Sequence, residues 1–273
     1  MEDSTLSDRV KEWLAHQGYP LELEVARQFQ KTGARVIQSE YYTDPDSRAT
    51  REIDLHAAFT SESPDYTLYR VAFTVECKTS RDKPWVLFTS KAAGLAAPAA
   101  VAQRSASRQG GRFLLRLADD PAVQELGLFK LPEIPAYGLT QAFTSGTDVA
   151  YSAVMTASKA AQALATEYAQ RNDIAACVVS FPLVVVDGRL FECALDTERD
   201  VRITEVQRST LVWRNRVVGE PHTIVSILTL TGLADYLVDA NDGADELLRR
   251  MRKDSVLLQA SLNRSRPKAK SDR

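Results

Sequence analysis

The run Val71-Ala72-Phe73-Thr74-Val75 ends in Glu76-Cys77-Lys78. Such a run reads as a buried strand, and strands alternate their side chains between two faces. Glu76 and Lys78 then share a face with Thr74, while Val75 and Cys77 take the other. Burying two charges is costly unless they are used. A second run, Arg51–Phe59, carries Asp54 between Ile53 and Leu55. The turn formers Ser61-Glu62-Ser63-Pro64-Asp65-Tyr66 separate the two runs. An antiparallel pair that sets Asp54 opposite Glu76 has its midpoint at residue 65, inside that turn. A hairpin therefore gathers Asp54, Glu76 and Lys78 on one face. His56 falls on the same face, within reach of a phosphate or simply as a strand polar residue. Ile53, Leu55 and Ala57 fall together on the core side.

The neighbouring segments extend this unit. Leu6, Val10, Trp13 and Leu14 predict an amphipathic helix over 4–17, ended by Gly18. A second helix runs from Pro20 to Thr32, with Leu21, Val25, Ala26 and Phe29 on one stripe. Glu22 falls on that stripe, as a core-facing carboxylate or a first-turn acid favoured by the helix dipole. Glu24 points elsewhere, alongside Gln28. Ala34–Tyr42 is a further strand. After Lys78 comes a less regular stretch, 79–135, then a short strand over Ala136–Phe143. The Ala-rich Tyr151–Arg171 reads as a helix and Ala175–Val186 as a buried strand. Asp187-Gly188 signals a hairpin, with Leu190–Leu195 returning from it. Strands are expected at 201–206, 209–218 and 223–230, helices at 232–240 and 243–262, and a basic disordered tail over 263–273.

Two carboxylates and a lysine on paired strands can hold Mg²⁺ and activate water beside a phosphodiester. The ordered elements sharpen this: a helix bearing Glu22, three strands with acids on the second and third, an insertion, a helix and a strand. On Leu21-Glu22-Leu23-Glu24-Val25-Ala26, Ile53-Asp54 and Glu76-Cys77-Lys78, the chain resembles the PD-(D/E)XK nuclease superfamily, in its Mrr-like flavour. Residues 20–80 carry the match, 147–187 follow it loosely, and Ile53 stands where the motif name has proline. The implied fold is α/β, a restriction-endonuclease-like core with additional C-terminal strands and helices. That core is a helix, three antiparallel strands, a helix and a parallel strand. It would span 1–187 with an insertion at 79–135, and 188–262 would pack on it as an extension.

The resemblance implies roles. Asp54, Glu76 and the backbone carbonyl of Cys77 would ligate Mg²⁺ or Mn²⁺, Glu22 would bind a second ion or orient its water, and Lys78 would orient the attacking water or stabilise charge on the phosphate. The reaction would be in-line hydrolysis of a nucleic-acid phosphodiester, DNA before RNA. The alternatives are a catalytically inactive binding or interaction module, or an unrelated α/β protein in which the three charges form a cross-strand ion pair.

Charge distribution suits a polyanion more than the net charge of −2 does. Between Thr79 and Arg116 seven basic residues face one acid, Asp82. Arg81, Lys83, Arg104, Arg108 and Arg112 are the candidate nucleic-acid contacts. The modest net charge implies weak non-specific affinity or recruitment by a partner protein. Leu190–Leu262 is a candidate second sheet edge or homodimer interface. Trp85, after Lys83-Pro84, reads as packing beside the site, with base stacking as the second option. Asp196, Glu198 and Asp200 read as a solvated loop. Three cysteines, Cys77, Cys177 and Cys193, with no CxxC pair, fit buried thiols in a reducing compartment. The longest apolar stretch, Ile174–Val186, is too short to span a bilayer, and no signal-peptide core is seen, so a cytoplasmic location and no membrane contact are expected. No GxxxxGK[ST], GxSxG or HExxH motif offers a rival chemistry.

Overall fold

A computed structural model describes residues 5–15, 17–62, 68–170, 176–195, 200–213 and 222–265. The expected hairpin turn at residues 63–66 and the tail beyond 265 lie outside them, as do Asp196 and Glu198; Asp200 is exposed. The molecule is mixed α/β, with one nine-stranded sheet and several helices.

The first helix, α1 (Leu6–Ala15), leaves Leu6, Val10 and Trp13 in solvent, so its stripe is not part of the core. Helix α2 (Tyr19–Lys31) buries Leu21, Val25, Ala26 and Phe29, as its periodicity predicts. Strands β1 (Arg35–Thr43), β2 (Thr50–Glu62) and β3 (Leu68–Thr89) form an antiparallel meander. The β2–β3 register includes Leu55↔Val75 and Ala57↔Phe73, which places the hairpin midpoint at residue 65. A helical excursion, α3 (Ala97–Ala102), β4 (Ser105–Ala106), α4 (Arg108–Leu117) and α5 (Pro121–Gln124), precedes β5 (Ala136–Gln141). Helix α6 (Val149–Gln170) then leads to β6 (Ala176–Leu195), which runs parallel to β3 over nearly its whole length.

Residues after 187 belong to the same sheet. Strand β9 (Thr223–Thr229) pairs with β6, β8 (Arg208–Trp213) with β9, and β7 (Val201–Val206) with the end of β6. Because β5 joins β3 to β8, strands β3, β5, β8, β9 and β6 close a ring. Trp85, Leu87, Val184, Val186, Leu190, Val225 and Ile227 pack together there with Ala153, Val154 and Ala157 of α6. On the other side α2 packs with Leu55, Phe73 and Val75 and with the long C-terminal helix α7 (Leu233–Ser265).

One glycine signal was misleading. Asp187-Gly188 is not a hairpin but lies within β6, where the β3–β6 register shifts. A Cβ on Gly188 would sit 2.4 Å from the carbonyl oxygen of Ser80, so the glycine lets two backbones meet. The break expected between helices at 240 and 243 does not occur: α7 runs unbroken through Asn241-Asp242-Gly243, and glycine at 243 leaves room for Leu128, whose Cδ1 a Cβ there would meet at 2.6 Å. Gly188→Ala should therefore lower the unfolding free energy by about 1–3 kcal/mol in urea titrations. Gly111→Ala, inside α4 with open space at the added methyl, should raise it by about 0.5–1 kcal/mol.

Candidate active site

The three strands part where the charged residues stand. The last regular β2–β3 pair before the charged residues is Leu55↔Val75. Beyond it the Asp54 carboxylate takes over from the ladder, Oδ2 accepting the Cys77 N–H at 2.7 Å. In extended chain the N–H and C=O of one residue point to the same edge. The Cys77 carbonyl therefore also faces the gap beside Asp54. Across the strand, β1–β2 pairing passes from Gln38↔Leu55 to Glu40↔Ile53, skipping Asp54 and Ser39, and Ser39 has a φ of 52°. Strict alternation fails at this step. Leu55 and Ala57 join the cluster under α2, while Ile53 packs with Tyr42 and with Ala160 and Leu164 of α6. Ile53 and Leu55 thus do not share a face, contrary to the sequence expectation. The irregularity frees Asp54 from the pleat.

Glu76 is 6% exposed. Its Oε1 accepts from Lys78 Nζ at 2.6 Å, while Oε2 is buried and has no hydrogen-bond partner in the protein. Such an atom calls for a ligand, since leaving it unsatisfied costs on the order of 1–3 kcal/mol or more for a charged group. Glu22, half-buried on α2, enters the same field: its carboxyl is pushed up by burial and by Asp54. Glu24 turns away as expected, gripping Arg27 and Gln28.

The charged groups act on one another electrostatically. Burial, then repulsion from Asp54, raises the Glu76 carboxyl to about 7, against the pull of Lys78. Asp54 is raised by burial, with the Cys77 N–H opposing. Burial lowers the Lys78 ammonium, but Glu76 and Asp54 outweigh it, so its pKa ends above the ordinary value. Lys78 is therefore a cation, not a neutral base, in this state. The Cys77 thiol is buried and driven well up by desolvation, so only its backbone is available for chemistry. Among the described residues no group of three or more His, Cys, Asp or Glu side chains is placed to hold a metal ion.

The remaining candidates separate. Arg81 and Lys83 are exposed just past Lys78, with Arg81 paired to Asp187 at 2.7 Å. Arg108 and Arg112 are exposed on α4, which seats against β6 near Val178, six residues and ~20 Å before the Val184 that pairs with Glu76. Arg104 is not at the surface. It is 7% exposed, donates to the Ala100 and Leu128 carbonyls, and lies over the rings of Phe129 and Phe181. Burial lowers its pKa to about 10. It is a core residue, withdrawn from any nucleic-acid contact. Trp85 is fully buried, its Nε1–H donating to Ser80 Oγ, so it packs and does not stack on bases. His56 is buried beneath Tyr168 of α6, Nδ1 3.4 Å from the phenol oxygen.

Two features had escaped the sequence reading. Lys159 of α6 holds Asp44 at 3.1 Å and Asp46 at 2.7 Å, fastening the β1–β2 turn to the helix that backs the site. Arg70 is buried on β3 with Nε unpartnered. An arginine inside the apolar run Tyr69–Val75 was the available signal. No family of proteins, no curated protein and no solved structure matches the chain. Among the described residues no helix is long and apolar enough to cross a membrane.

Proposed function

We propose that the protein is a metal-dependent nuclease of the PD-(D/E)XK kind, hydrolysing nucleic-acid phosphodiester bonds, with DNA favoured over RNA by the resemblance. One observation carries the reading: Glu76 Oε2 is a buried, unpartnered carboxylate oxygen in the electrostatic field of Asp54, with Lys78 on its other oxygen. The chain order α2, β1–β3, α6 and a parallel β6 supports a restriction-endonuclease-like core. The donor set fits Mg²⁺ or Mn²⁺, which use one or two carboxylates and complete their shell with waters and substrate phosphate. Asp54, Glu76 and the Cys77 carbonyl would hold the ion and Glu22 would assist from α2. When bound it supplies positive charge to the phosphoryl oxygens and makes a water more acidic.

The chain's own residues do the rest. Asp54 shares its carboxylate between the Cys77 N–H and the gap, which fixes its direction. Lys78, with 29% of its side chain exposed, presents its ammonium to a scissile phosphate entering there and offsets the charge that builds on it. Arg81 and Lys83 would guide the flanking backbone. Titration calorimetry with Mn²⁺, followed by incubation of single- and double-stranded DNA and RNA with Mg²⁺, tests this. Mn²⁺ binding with metal-dependent cleavage is expected. Absence of Mg²⁺ and Mn²⁺ binding would favour the inactive binding module instead.

A further inference from the structure

Arg70 lies on β3 six residues before Glu76, ~20 Å along the strand and outside the carboxylate site. It is 9% exposed, and its Nε is buried without a hydrogen-bond partner. Among the described residues no carboxylate forms an ion pair with it. Its guanidinium carbon stands 4.0 Å from the centre of the Tyr168 ring, which fixes the plane of the fork. Tyr168 in turn meets His56. Together with Arg35, Ile37 and Ala58 these three residues line a cavity of about 90 Å³. Arg35 is exposed at its rim.

Among the described residues the lining holds two arginines, a histidine and a tyrosine, and no acid. A guanidinium whose buried Nε–H is left unmet is costly to keep, and stacking on one ring returns only part of that cost. The missing partner is an anion. A guanidinium fork matches phosphate oxygens in paired hydrogen bonds, and a second arginine favours a dianion over a monoanion. The space is enough for one tetrahedral oxyanion. The geometry points to a phosphate-binding pocket in which Arg70 grips a phosphoryl group, Arg35 guards the mouth, and the rest of the ligand stays outside. It stands apart from the metal chemistry proposed above and does not depend on it.

The test uses the full chain in metal-free buffer. Calorimetry with inorganic phosphate should give saturable binding to the wild type. Arg70→Gln should weaken it at least tenfold and Arg35→Ala severalfold, while Glu76→Ala should leave it unchanged. The second arm compares a 5′-phosphorylated oligonucleotide with its 5′-hydroxyl counterpart. An Arg70-dependent preference for the former makes the ligand a nucleic-acid end. Equal binding of the two, with free phosphate still bound, makes it a small phosphorylated molecule. The pocket is refuted if the wild type does not bind phosphate, or if both arginine variants bind it as tightly as the wild type does. Should Arg70→Gln fail to fold, the exposed Arg35 decides alone.

Discussion

Lys78→Ala should lower Mg²⁺-dependent cleavage at least about a hundredfold, the usual scale for removing a group that stabilises transition-state charge. Asp54→Ala and Glu76→Ala should remove cleavage altogether. The fold should survive each change, because none of the three side chains belongs to a hydrophobic cluster. Asp54→Ala carries one structural cost, since it strands the Cys77 N–H that Asp54 now satisfies. Asp54→Asn is the cleaner variant: its amide oxygen can keep that hydrogen bond while the charge is lost. Calorimetry divides the roles further. Asp54→Asn and Glu76→Gln should lose Mn²⁺ affinity, whereas Lys78→Ala should keep it and fail only in turnover. Cleavage persisting in the Asp54, Glu76 and Lys78 variants would end the nuclease assignment.

What could be read from the chain, and what could not, divides by range. The β2–β3 register followed from alternation and from a turn of the right length, both local properties. The placement of Asp54 against the Cys77 N–H and of Lys78 against Glu76 followed from that register, while Glu22 is linked to them by charge alone. The misses depended on distant contacts. Gly188 looks like turn punctuation, yet it is where the Ser80 carbonyl presses on the backbone, and Gly243 leaves room for Leu128 inside an unbroken helix. The positive φ at Ser39 gives no composition signal, and neither does the turning of Ile53 toward α6 beside it. Arg104 looked like one of a series of surface cations because its neighbours in sequence are basic. Its burial is set by Phe129 and Phe181, which arrive from later in the chain. Closure of the ring through β8 and β9 was equally out of reach, since β5 meets β8 at a single pair, Ala136↔Leu211.

The metal-free wild type should lose stability as pH rises from about 4.5 to about 7, and Glu76→Gln should abolish most of that loss. The Glu76 carboxyl has an ordinary pKa of 4.5 and is raised to about 7 in the fold, first by burial and then by Asp54. Below 4.5 it is protonated in both folded and unfolded chains and costs nothing. Between the two values the folded protein holds a proton that the unfolded chain releases, so the fold weakens as pH climbs. Above 7 the full penalty applies, about 3 kcal/mol for a shift of this size. Asp54 and Glu22 are raised too and act in the same sense. Lys78 is raised above 10.5 and stays charged throughout the window. Asp44, lowered to about 2, gives a stabilisation that is complete above its ordinary 3.8 and constant here. Urea midpoints of the two proteins between pH 4 and 8 isolate the Glu76 contribution. Mg²⁺ added at pH 8 should restore the wild type and act much less on Glu76→Gln, which has lost one of the carboxylates that would hold the ion. Parallel pH profiles for the two proteins would show that Glu76 is not the strained acid its burial implies.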